Sequence, residues 1–280
     1  MSLNSINTNA QSLIALQSLN STNDQLSLIQ KRVSTGYRVA DAQDDGGAFA
    51  VAQSVKSDMA GVVAVNEQLG GVKGVLETTF AALTVVSDTM KQLRATLTRL
   101  ADGAISADQR KAYEEQYTLL AQQVASFVDD AGYNGRTLLS TVSTGTPAGG
   151  NITAIRNETG GLFTIEAVDG ASLKITTLAP ANAAAAQASF NSGGAFDTAE
   201  AAISKALSTF GASMAFLESQ ISYNSKKADA MSNGLGALVD ADLARESSAL
   251  EGIKVRQQLG IQTLSLANQG PQVLLGLFRN

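Results

Sequence analysis

The chain has 280 residues and a mass of 28.9 kDa, enough for one or two domains with a hydrophobic core. Its net charge of −5 and its lack of a basic cluster argue against nucleic-acid binding, because phosphate contacts need grouped lysine and arginine side chains. The chain contains no cysteine and no histidine, which excludes disulfides, thiolate metal sites and the commonest general base. Most enzyme mechanisms are thereby excluded, and we expect no catalysis, no cofactor and no metal.

The first stretch of the chain is predicted to be an amide-rich helix without charge. No charged side chain precedes Asp24, and Asn, Gln, Ser and Thr fill the positions between apolar residues. The apolar residues recur at steps of three and four, the spacing of a helix face. The stretch lacks the basic start, the unbroken apolar run and the cleavage site of a secretory signal peptide. The apolar face that we assign to packing comprises Leu3, Ile6, Leu13, Leu16, Leu26, Ile29 and Val33.

An acidic loop is predicted at residues 34–50. Gly36 is expected to end the first helix, and Asp41, Asp44 and Asp45 interrupt the apolar pattern before the next helix. Three aspartates within five positions are a candidate cation site, but they lack the spacing and the closing glutamate of a calcium loop. A solvated or helix-capping acidic turn is therefore favoured over a metal site.

Two helices are predicted to follow this loop. The first covers about fifty residues and ends near Asp102, which is far longer than a usual globular helix. Ser106 and Gln109 predict a capping box at the start of the second helix, and Asn134 with Gly135 predicts a tight turn after it. The packing face predicted for the long helix comprises Val55, Met59, Val62, Asn66, Leu69, Lys73, Leu76, Phe80, Leu83, Ser87, Met90, Arg94 and Leu97.

Residues 141–196 differ in composition, being rich in Gly, Thr and Ala. Short strands are predicted at residues 151–156, 162–168 and 172–178, with Asp169 and Gly170 as a two-residue hairpin turn between the last two. No residue pattern in this insert indicates chemistry.

The helical pattern resumes after the insert and continues for more than four heptads. Asn224 occupies a position on the packing face, where an amide is better suited to fixing the register of two helices than to binding a ligand. Gly234 and Gly236 are expected to open a break in the helix that extends through Asp240 and Asp242.

The last stretch, residues 245–280, is predicted to be a helix with apolar residues on several sides. It has no charged side chain between Arg256 and Arg279, yet its many amides and hydroxyls would be costly to desolvate in lipid. No membrane span is therefore expected. The packing face assigned here comprises Leu250, Ile253, Leu264, Leu266, Leu274, Leu277 and Phe278.

Both chain ends are thus predicted to be helical, poor in charge and apolar on more than one side. One intramolecular seam recovers far less free energy than the ordering of two such long ends costs. This imbalance favours a subunit whose ends are covered by other copies during assembly. The predicted fold is mainly α, with long coiled-coil-like helices from both chain ends forming a rod and a small β-hairpin insert in the middle.

Three segments of the chain resemble bacterial flagellin, the subunit of the flagellar filament. The N-terminal segment is SINTNAQSLIALQSLNSTNDQLSLIQKRVSTGYRVADAQDDGGAFAVAQS, the C-terminal segment is QQLGIQTLSLANQGPQVLLGLFRN, and YNGRTLL follows the second middle helix. The resemblance covers about residues 1–140 and 197–280. The insert matches nothing in particular, as is expected of the variable region of that family.

The resemblance implies three domains and an extracellular location. Residues 1–44 with 240–280 would form the filament core, residues 45–140 with 197–239 a helical rod, and residues 141–196 a short variable insert. The loops with Gly36, Asp41, Asp44, Asp45 and with Gly234, Gly236, Asp240, Asp242 would be spokes between core and rod. The implied partners are further copies of the chain, the flagellar cap and hook-junction proteins, the export apparatus and a chaperone on the C-terminal helix. Export would occur without a cleaved signal peptide.

Two alternatives within structural proteins stay open from the sequence. A hook-filament junction protein has flagellin-like ends but does not polymerise without limit, and a coiled-coil export adaptor would form a finite oligomer. An embedded zinc protease is excluded, since the HExxH motif needs histidine.

Overall fold

The computed structural model describes residues 9–141 and 147–277, with side chains as far as residue 269. Most of these residues are helical, and the sheet that they contain is a small antiparallel pair of strands, which confirms the predicted mainly α fold. The elements in chain order are α1 (Ala10–Thr35), α2 (Gly46–Leu100), α3 (Ala107–Asp129), β1 (Ile152–Ile155), β2 (Leu162–Ile165), a 3-10 helix (Gly170–Leu173), α4 (Ala183–Phe190), α5 (Ala195–Val239) and α6 (Leu243–Leu277).

The chain divides into two compact units. The first unit combines Met1–Ser57 with Ala230–Asn280, and the second unit is Asp58–Asp229. The boundary between the units falls inside two continuous helices, α2 and α5. The insert belongs to the second unit together with the middle helices, and the three-domain division expected from the sequence stays a prediction.

Helix α2 carries the core of the second unit on residues spaced seven apart. Val62, Leu69, Leu76, Leu83, Met90 and Leu97 are all buried, as their position on the predicted face requires. A seven-residue repeat keeps one face of a helix directed at its neighbour along the whole length, so that 55 residues form one uninterrupted helix. The length and the main packing face of this helix are thus confirmed.

The predicted face of α2 also contained a second row of residues spaced seven apart, and the position of that row was wrong by one residue. Lys73, Phe80, Ser87 and Arg94 lie at the edge of the packing face or outside it, and the buried row is Val65, Val72, Thr79, Val86, Leu93 and Leu100. The observed row avoids burying the charges of Lys73 and Arg94. It includes one hydroxyl, that of Thr79, which donates a hydrogen bond to the Val75 carbonyl oxygen at 2.8 Å.

Helix α3 and the turn after it form as predicted. The Ser106 side chain accepts from the Gln109 backbone N–H at 3.3 Å, and the Gln109 side chain accepts from the Ser106 N–H at 3.1 Å. Asn134 and Gly135 both have positive φ, at 48° and 74°, as a tight hairpin turn requires. The flanking residues Tyr133 and Arg136 exchange backbone hydrogen bonds across that turn.

Only two of the three predicted strands form in the described part of the insert. Strands β1 and β2 pair antiparallel with Ile155 opposite Leu162, and the chain reverses between Asn157 and Gly160. The predicted strand at residues 172–178 and the predicted hairpin turn at Asp169 and Gly170 were wrong. The Asp169 side chain instead accepts from the Ala171 N–H at 3.0 Å and caps the 3-10 helix, whose Leu173 is buried in the core.

The predicted helix break at Gly234 and Gly236 was also wrong, because α5 continues through both residues to Val239. Two glycines inside a helix cost about 1 kcal/mol each relative to alanine. Packing offsets this cost, since Val239 joins Val39 and Ala52 in a small buried cluster of the first unit. The break between α5 and α6 is therefore confined to residues 240–242.

Helix α2 is, among the residues described, the one helix long and apolar enough to cross a membrane by length and composition. A third of its most apolar 18-residue window is buried against the rest of the chain. Core helices of soluble proteins pass the same test, so this helix is weak evidence for a membrane span.

The buried amide of Asn224 joins α5 to the hairpin. Asn224 is fully buried, its Nδ2 donates to the Arg156 carbonyl oxygen at 3.1 Å, and its Oδ1 accepts from Gln220 Nε2 at 3.0 Å. The predicted position of Asn224 on the packing face is confirmed. Its hydrogen bond, however, is to Arg156, the residue that directly follows β1.

We expect Asn224→Ala to lower the free energy of unfolding by roughly 1 to 3 kcal/mol, because it removes a buried hydrogen bond and leaves a small cavity. Urea denaturation followed by circular dichroism measures this change. The matched control is Asn233→Ala on the exposed side of the same helix, which should change stability little. Equal midpoints for the two variants would show that the Asn224 tether contributes nothing.

Candidate assembly surface

The terminal helices α1 and α6 pair with each other in antiparallel orientation. Asn9 Nδ2 donates to the Ala267 carbonyl oxygen at 2.7 Å, the Ser12 hydroxyl donates to Asn268 Oδ1 at 2.8 Å, and Gln257 Nε2 donates to Asn23 Oδ1 at 2.8 Å. The amides and hydroxyls of the charge-free ends thus bind each other across the helix pair.

Gly260 of α6 lies directly against Leu19 of α1. A Cβ atom added to Gly260 of α6 would lie 3.2 Å from Leu19 Cδ1 of α1, so the leucine fills the space that a side chain would occupy. One ion pair, between Arg32 Nη1 and Glu246 Oε1 at 3.4 Å, joins the pair near the other end.

Little apolar surface is buried between α1 and α6. No residue of α1 is buried, and Ile253 of α6 is buried at 5% exposure. Helices of this length obtain most of their stability from apolar packing, which this pair supplies only in part. The pair therefore retains apolar surface that nothing in the described chain covers.

The structure divides the residues that the sequence assigned to the packing face. Leu26, Ile29, Val33, Leu250 and Leu264 are half-buried, and Ile253 is buried within the chain. Leu13, Leu16 and Leu266 are exposed, at 63%, 43% and 70%. Leu3, Ile6 and Phe278 lie outside the described residues, as do the side chains of Leu274 and Leu277.

Further exposed apolar residues were not in the predicted set. These are Ile14 and Leu28 on α1 and Leu243 and Ile261 on α6. Val255 and Leu259 of α6 are exposed as well, and they belong to the second apolar side that the sequence predicts for this helix. Several of them adjoin a predicted position in sequence, as Ile14 adjoins Leu13. A search for one stripe at steps of three and four omits them, although apolar residues at neighbouring positions indicate a helix that is apolar on more than one side.

The two loops that join the terminal helices to α2 and α5 are hydrogen-bonded to each other. Gly36 has a φ of 75° and ends α1 by donating its N–H to the Arg32 carbonyl oxygen, as the sequence predicts. The Arg38 N–H donates to the Val239 carbonyl oxygen at 2.7 Å, and the Ala241 N–H donates to the Gly36 carbonyl oxygen at 2.9 Å. Tyr37 and Asp240 thus form an antiparallel bridge.

The acidic turn before α2 is organised around one lysine. Lys31 Nζ lies 2.7 Å from Asp41 Oδ2 and 2.9 Å from Asp44 Oδ2. Asp44 Oδ2 also accepts from the Ala40 N–H at 2.9 Å, and Asp45 Oδ1 accepts from the Ala48 N–H at 3.0 Å at the start of α2. Asp242 caps α6 in the same manner, accepting from the N–H groups of Ala244 and Arg245.

These contacts confirm a helix-capping acidic turn. The hydrogen bonds to Lys31 lower the pKa of both Asp41 and Asp44, and the two carboxylates raise the pKa of Lys31. No group of acidic side chains within the described residues has the arrangement of a metal site.

Asp44→Asn should lower the melting temperature at neutral pH, because it removes a charge that Lys31 contacts. The pKa of Asp44 in the folded state lies below its ordinary value of 3.8, so this carboxylate stabilises the fold above that pH and ceases to do so as the pH falls through the folded-state pKa. The difference in melting temperature between parent and variant should therefore be constant above about pH 5 and should shrink towards zero as the pH falls below about pH 4.

Asp45→Asn is the control for this measurement, since asparagine caps a helix about as well as aspartate. If the melting temperatures of the parent and of Asp44→Asn differ by as much at the lowest pH as at neutral pH, the ion pair between Lys31 and Asp44 does not have the stabilising role assigned to it.

Comparison with known proteins gives consistent matches over nearly the whole chain. Residues 6–144 match the bacterial flagellin N-terminal helical region, and residues 194–278 match the bacterial flagellin C-terminal helical region. The chain is 32% identical to "Flagellin FljK" of Caulobacter vibrioides, with 100% of both chains covered, and 34% identical to "Flagellin" of Brucella melitensis, with 98% of this chain and 99% of the relative covered.

A solved structure shares part of the fold. The crystal structure of Bacillus cereus flagellin superposes with a TM-score of 0.50 at 23% identity, covering 56% of this chain and 88% of that one. Together with the match of both terminal regions, these findings show that the chain belongs to the bacterial flagellins, the structural subunits of the extracellular flagellar filament used for swimming.

Proposed function

We propose that the exposed apolar faces of α1 and α6 are the surfaces through which this flagellin binds neighbouring copies of itself. The observation that carries this proposal is the large exposure of apolar residues on a helix pair with few charges. Leu13, Ile14, Leu259 and Leu266 each expose more than half of their surface, and α6 has no charged residue after Arg256. Monomeric proteins seldom expose such a series of large apolar side chains along one helix pair.

The amide groups of these helices support the same proposal. Asn, Gln, Ser and Thr side chains at the ends form hydrogen bonds within the pair, and similar groups remain on its surface. Such side chains can bind several neighbours in turn without the cost of burying an unpaired charge. Further apolar burial between copies would contribute about 1 to 2 kcal/mol for each half-exposed leucine or isoleucine.

We propose further that the terminal helices become fully ordered only in the polymer. The pair has one buried apolar residue among its described side chains, so its packing within the chain is slight. Contacts with other copies would supply the missing burial and stabilise the helices by mass action. The loops at Gly36 to Asp45 and at Asp240 to Asp242 would then join this core layer to the helices of the second unit.

The remaining partners follow from the family. Flagellar cap and hook-junction proteins, the export apparatus and a chaperone on the C-terminal helix are proposed on this ground, together with export without a cleaved signal peptide. Relatives named flagellin over the full chain length favour the filament subunit over the junction protein and the export adaptor. A structural family also supports a protein without enzymatic activity.

Substituting serine for Leu13 and Leu266 together should slow elongation of filament seeds by tenfold or more. Each leucine that is buried between copies contributes about 2 kcal/mol of binding free energy, and the loss of this contribution is large enough for a tenfold or greater reduction in elongation. Pelleting and electron microscopy of seeded full-length monomer measure the polymer formed. The control is Val85→Ser, at an exposed apolar position on α2 in the second unit, which should elongate like the parent.

Circular dichroism establishes that the variant monomers retain the parent helix content. Normal elongation by the Leu13 and Leu266 double variant would mean that these faces are not the polymer interface.

Amide hydrogen exchange should differ between monomer and filament chiefly in α1 and α6. We expect exchange in these helices to be at least tenfold slower in the filament, whereas the buried part of α2 around Leu76 and Leu83 is protected in both forms. Equal protection of α1 and α6 in monomer and filament would show that the terminal helices are already ordered before assembly.

A further inference from the structure

The chain contains the dipeptide Asn-Gly twice, at Asn134 with Gly135 and at Asn233 with Gly234. We propose that Asn134 is a site of spontaneous deamidation, at which the side-chain amide is converted to aspartate or isoaspartate, and that the fold protects Asn233 from the same reaction. Asparagine is among the thermally labile residues, and a following glycine favours the reaction because it has no side chain to hinder the attack. This proposal does not depend on the assembly surface proposed above.

The reaction takes place within one dipeptide and needs only water. The Gly135 backbone nitrogen forms a bond to Asn134 Cγ, the Cγ–Nδ2 bond breaks, and the amide leaves as ammonia with the proton from the Gly135 nitrogen. Water then opens the imide ring. Hydrolysis at Cγ gives aspartate, whereas hydrolysis at the main-chain carbonyl carbon gives isoaspartate, whose backbone continues through Cγ and is longer by one methylene group.

Asn134 and Gly135 form a turn in which this attack is unhindered. Both residues are exposed and have positive φ, and a Cβ atom on Gly135 would meet no atom within 4 Å. Among the described residues, neither the Asn134 side chain nor the Gly135 N–H has a hydrogen-bond partner. The hydrogen bonds that close the turn are made by its neighbours Tyr133 and Arg136. The nitrogen and the amide can therefore approach each other through rotations within the turn alone.

Asn233 is also exposed, but its backbone is held in α5, which continues beyond Gly234 to Val239. In an α-helix each N–H donates to the carbonyl oxygen four residues earlier, so the Gly234 nitrogen is bonded to the Ala230 carbonyl and ψ of Asn233 is fixed. Cyclisation at Asn233 therefore requires local opening of the helix, which costs additional free energy. The two identical dipeptides differ in backbone structure and not in exposure.

Deamidation at Asn134 changes a turn that holds part of the second unit together. The Gly135 carbonyl oxygen accepts from the Ala148 N–H at 2.8 Å, and the Tyr133 ring lies against α2, where a Cβ atom on Gly74 would be 3.0 Å from Tyr133 Cε1. An extra methylene group in a two-residue turn breaks the register in which Tyr133 is hydrogen-bonded across it. The isoaspartyl form is therefore less stable than the parent, whereas aspartate suits the same turn as asparagine does.

Peptide mapping of the full-length chain tests the proposed site. Tryptic cleavage after lysine and arginine places each dipeptide in its own peptide, residues 112–136 and residues 228–245, and neither peptide contains another asparagine. The native monomer is incubated at mildly alkaline pH, where the attacking nitrogen loses its proton more readily, and fragment masses locate the conversion of amide to carboxyl. We expect Asn134 to react faster than Asn233 by roughly tenfold or more, because only Asn233 requires helix opening.

The chain unfolded in guanidinium chloride is the matched reference, since both dipeptides then have similar backbone freedom. The ratio of the two rates should fall towards one. A ratio that is the same in the folded and the unfolded chain would overturn the protection of Asn233 by α5. An Asn134 that stays unmodified in the native chain while it reacts in the unfolded chain would overturn the proposed site.

Thermal melting tests the effect on stability. The melting temperature of the incubated parent should fall relative to that of the fresh parent, in proportion to the isoaspartate that an isoaspartyl-specific methyltransferase detects. Asn134→Gly lacks the amide and keeps the turn, because Gly-Gly suits the same turn type, so its melting temperature should not change on incubation. Fresh Asn134→Asp has the charge without the extra methylene group and should melt like the fresh parent. An unchanged melting temperature in a parent that contains isoaspartate at Asn134 would contradict the assigned role of the turn.

Discussion

The two chain ends hold each other mainly through hydrogen bonds between amides and hydroxyls that are more than two hundred residues apart in sequence. Such bonds contribute little net stability, because the same groups bind water in the unfolded chain. They do fix the register of α1 against α6, and several apolar side chains of both helices stay exposed, among them Leu13, Leu16 and Leu266. The terminal pair is therefore specific in geometry but weak in burial, in keeping with the proposal that other copies cover it.

In the second unit, by contrast, apolar burial is extensive. The heptads of α2 place leucines, valines and one methionine in a continuous core with α3, α5 and the insert, and the largest fully buried side chains of the described chain lie there. The core of this unit is thus covered within the chain and does not need other copies to bury it. One chain thus combines a unit whose apolar core is covered within the chain with a helix pair for which we propose partners in neighbouring copies, and the boundary between the two units falls inside the continuous helices α2 and α5.

Ion pairs stabilise the acidic turn between α1 and α2. Lys31 contacts two carboxylates that also accept backbone N–H groups, so the turn after α1 is fixed by charge-assisted hydrogen bonds at a place with little apolar burial. Gly234 and Gly236 lie inside α5 although glycine has a poor helix propensity. Packing in the small cluster with Val39 and Val239 outweighs that propensity.

The amino-acid sequence by itself determined that the chain is mainly helical, the main packing row of α2 and the family. Seven-residue spacing of Leu69, Leu76 and Leu83, the capping residues Ser106 and Gln109, and Gly36 after α1 are local patterns, and local patterns act through the backbone of the same segment. The tertiary structure decided what depends on distant contacts. It placed the second buried row on the side of Val72 and not of Lys73, made Asp169 the cap of a 3-10 helix that begins at Gly170, and kept α5 helical through Gly234. It also separated the exposed Leu13 from the buried Ile253, since burial depends on which other segment lies opposite, and spacing along one helix does not contain that information.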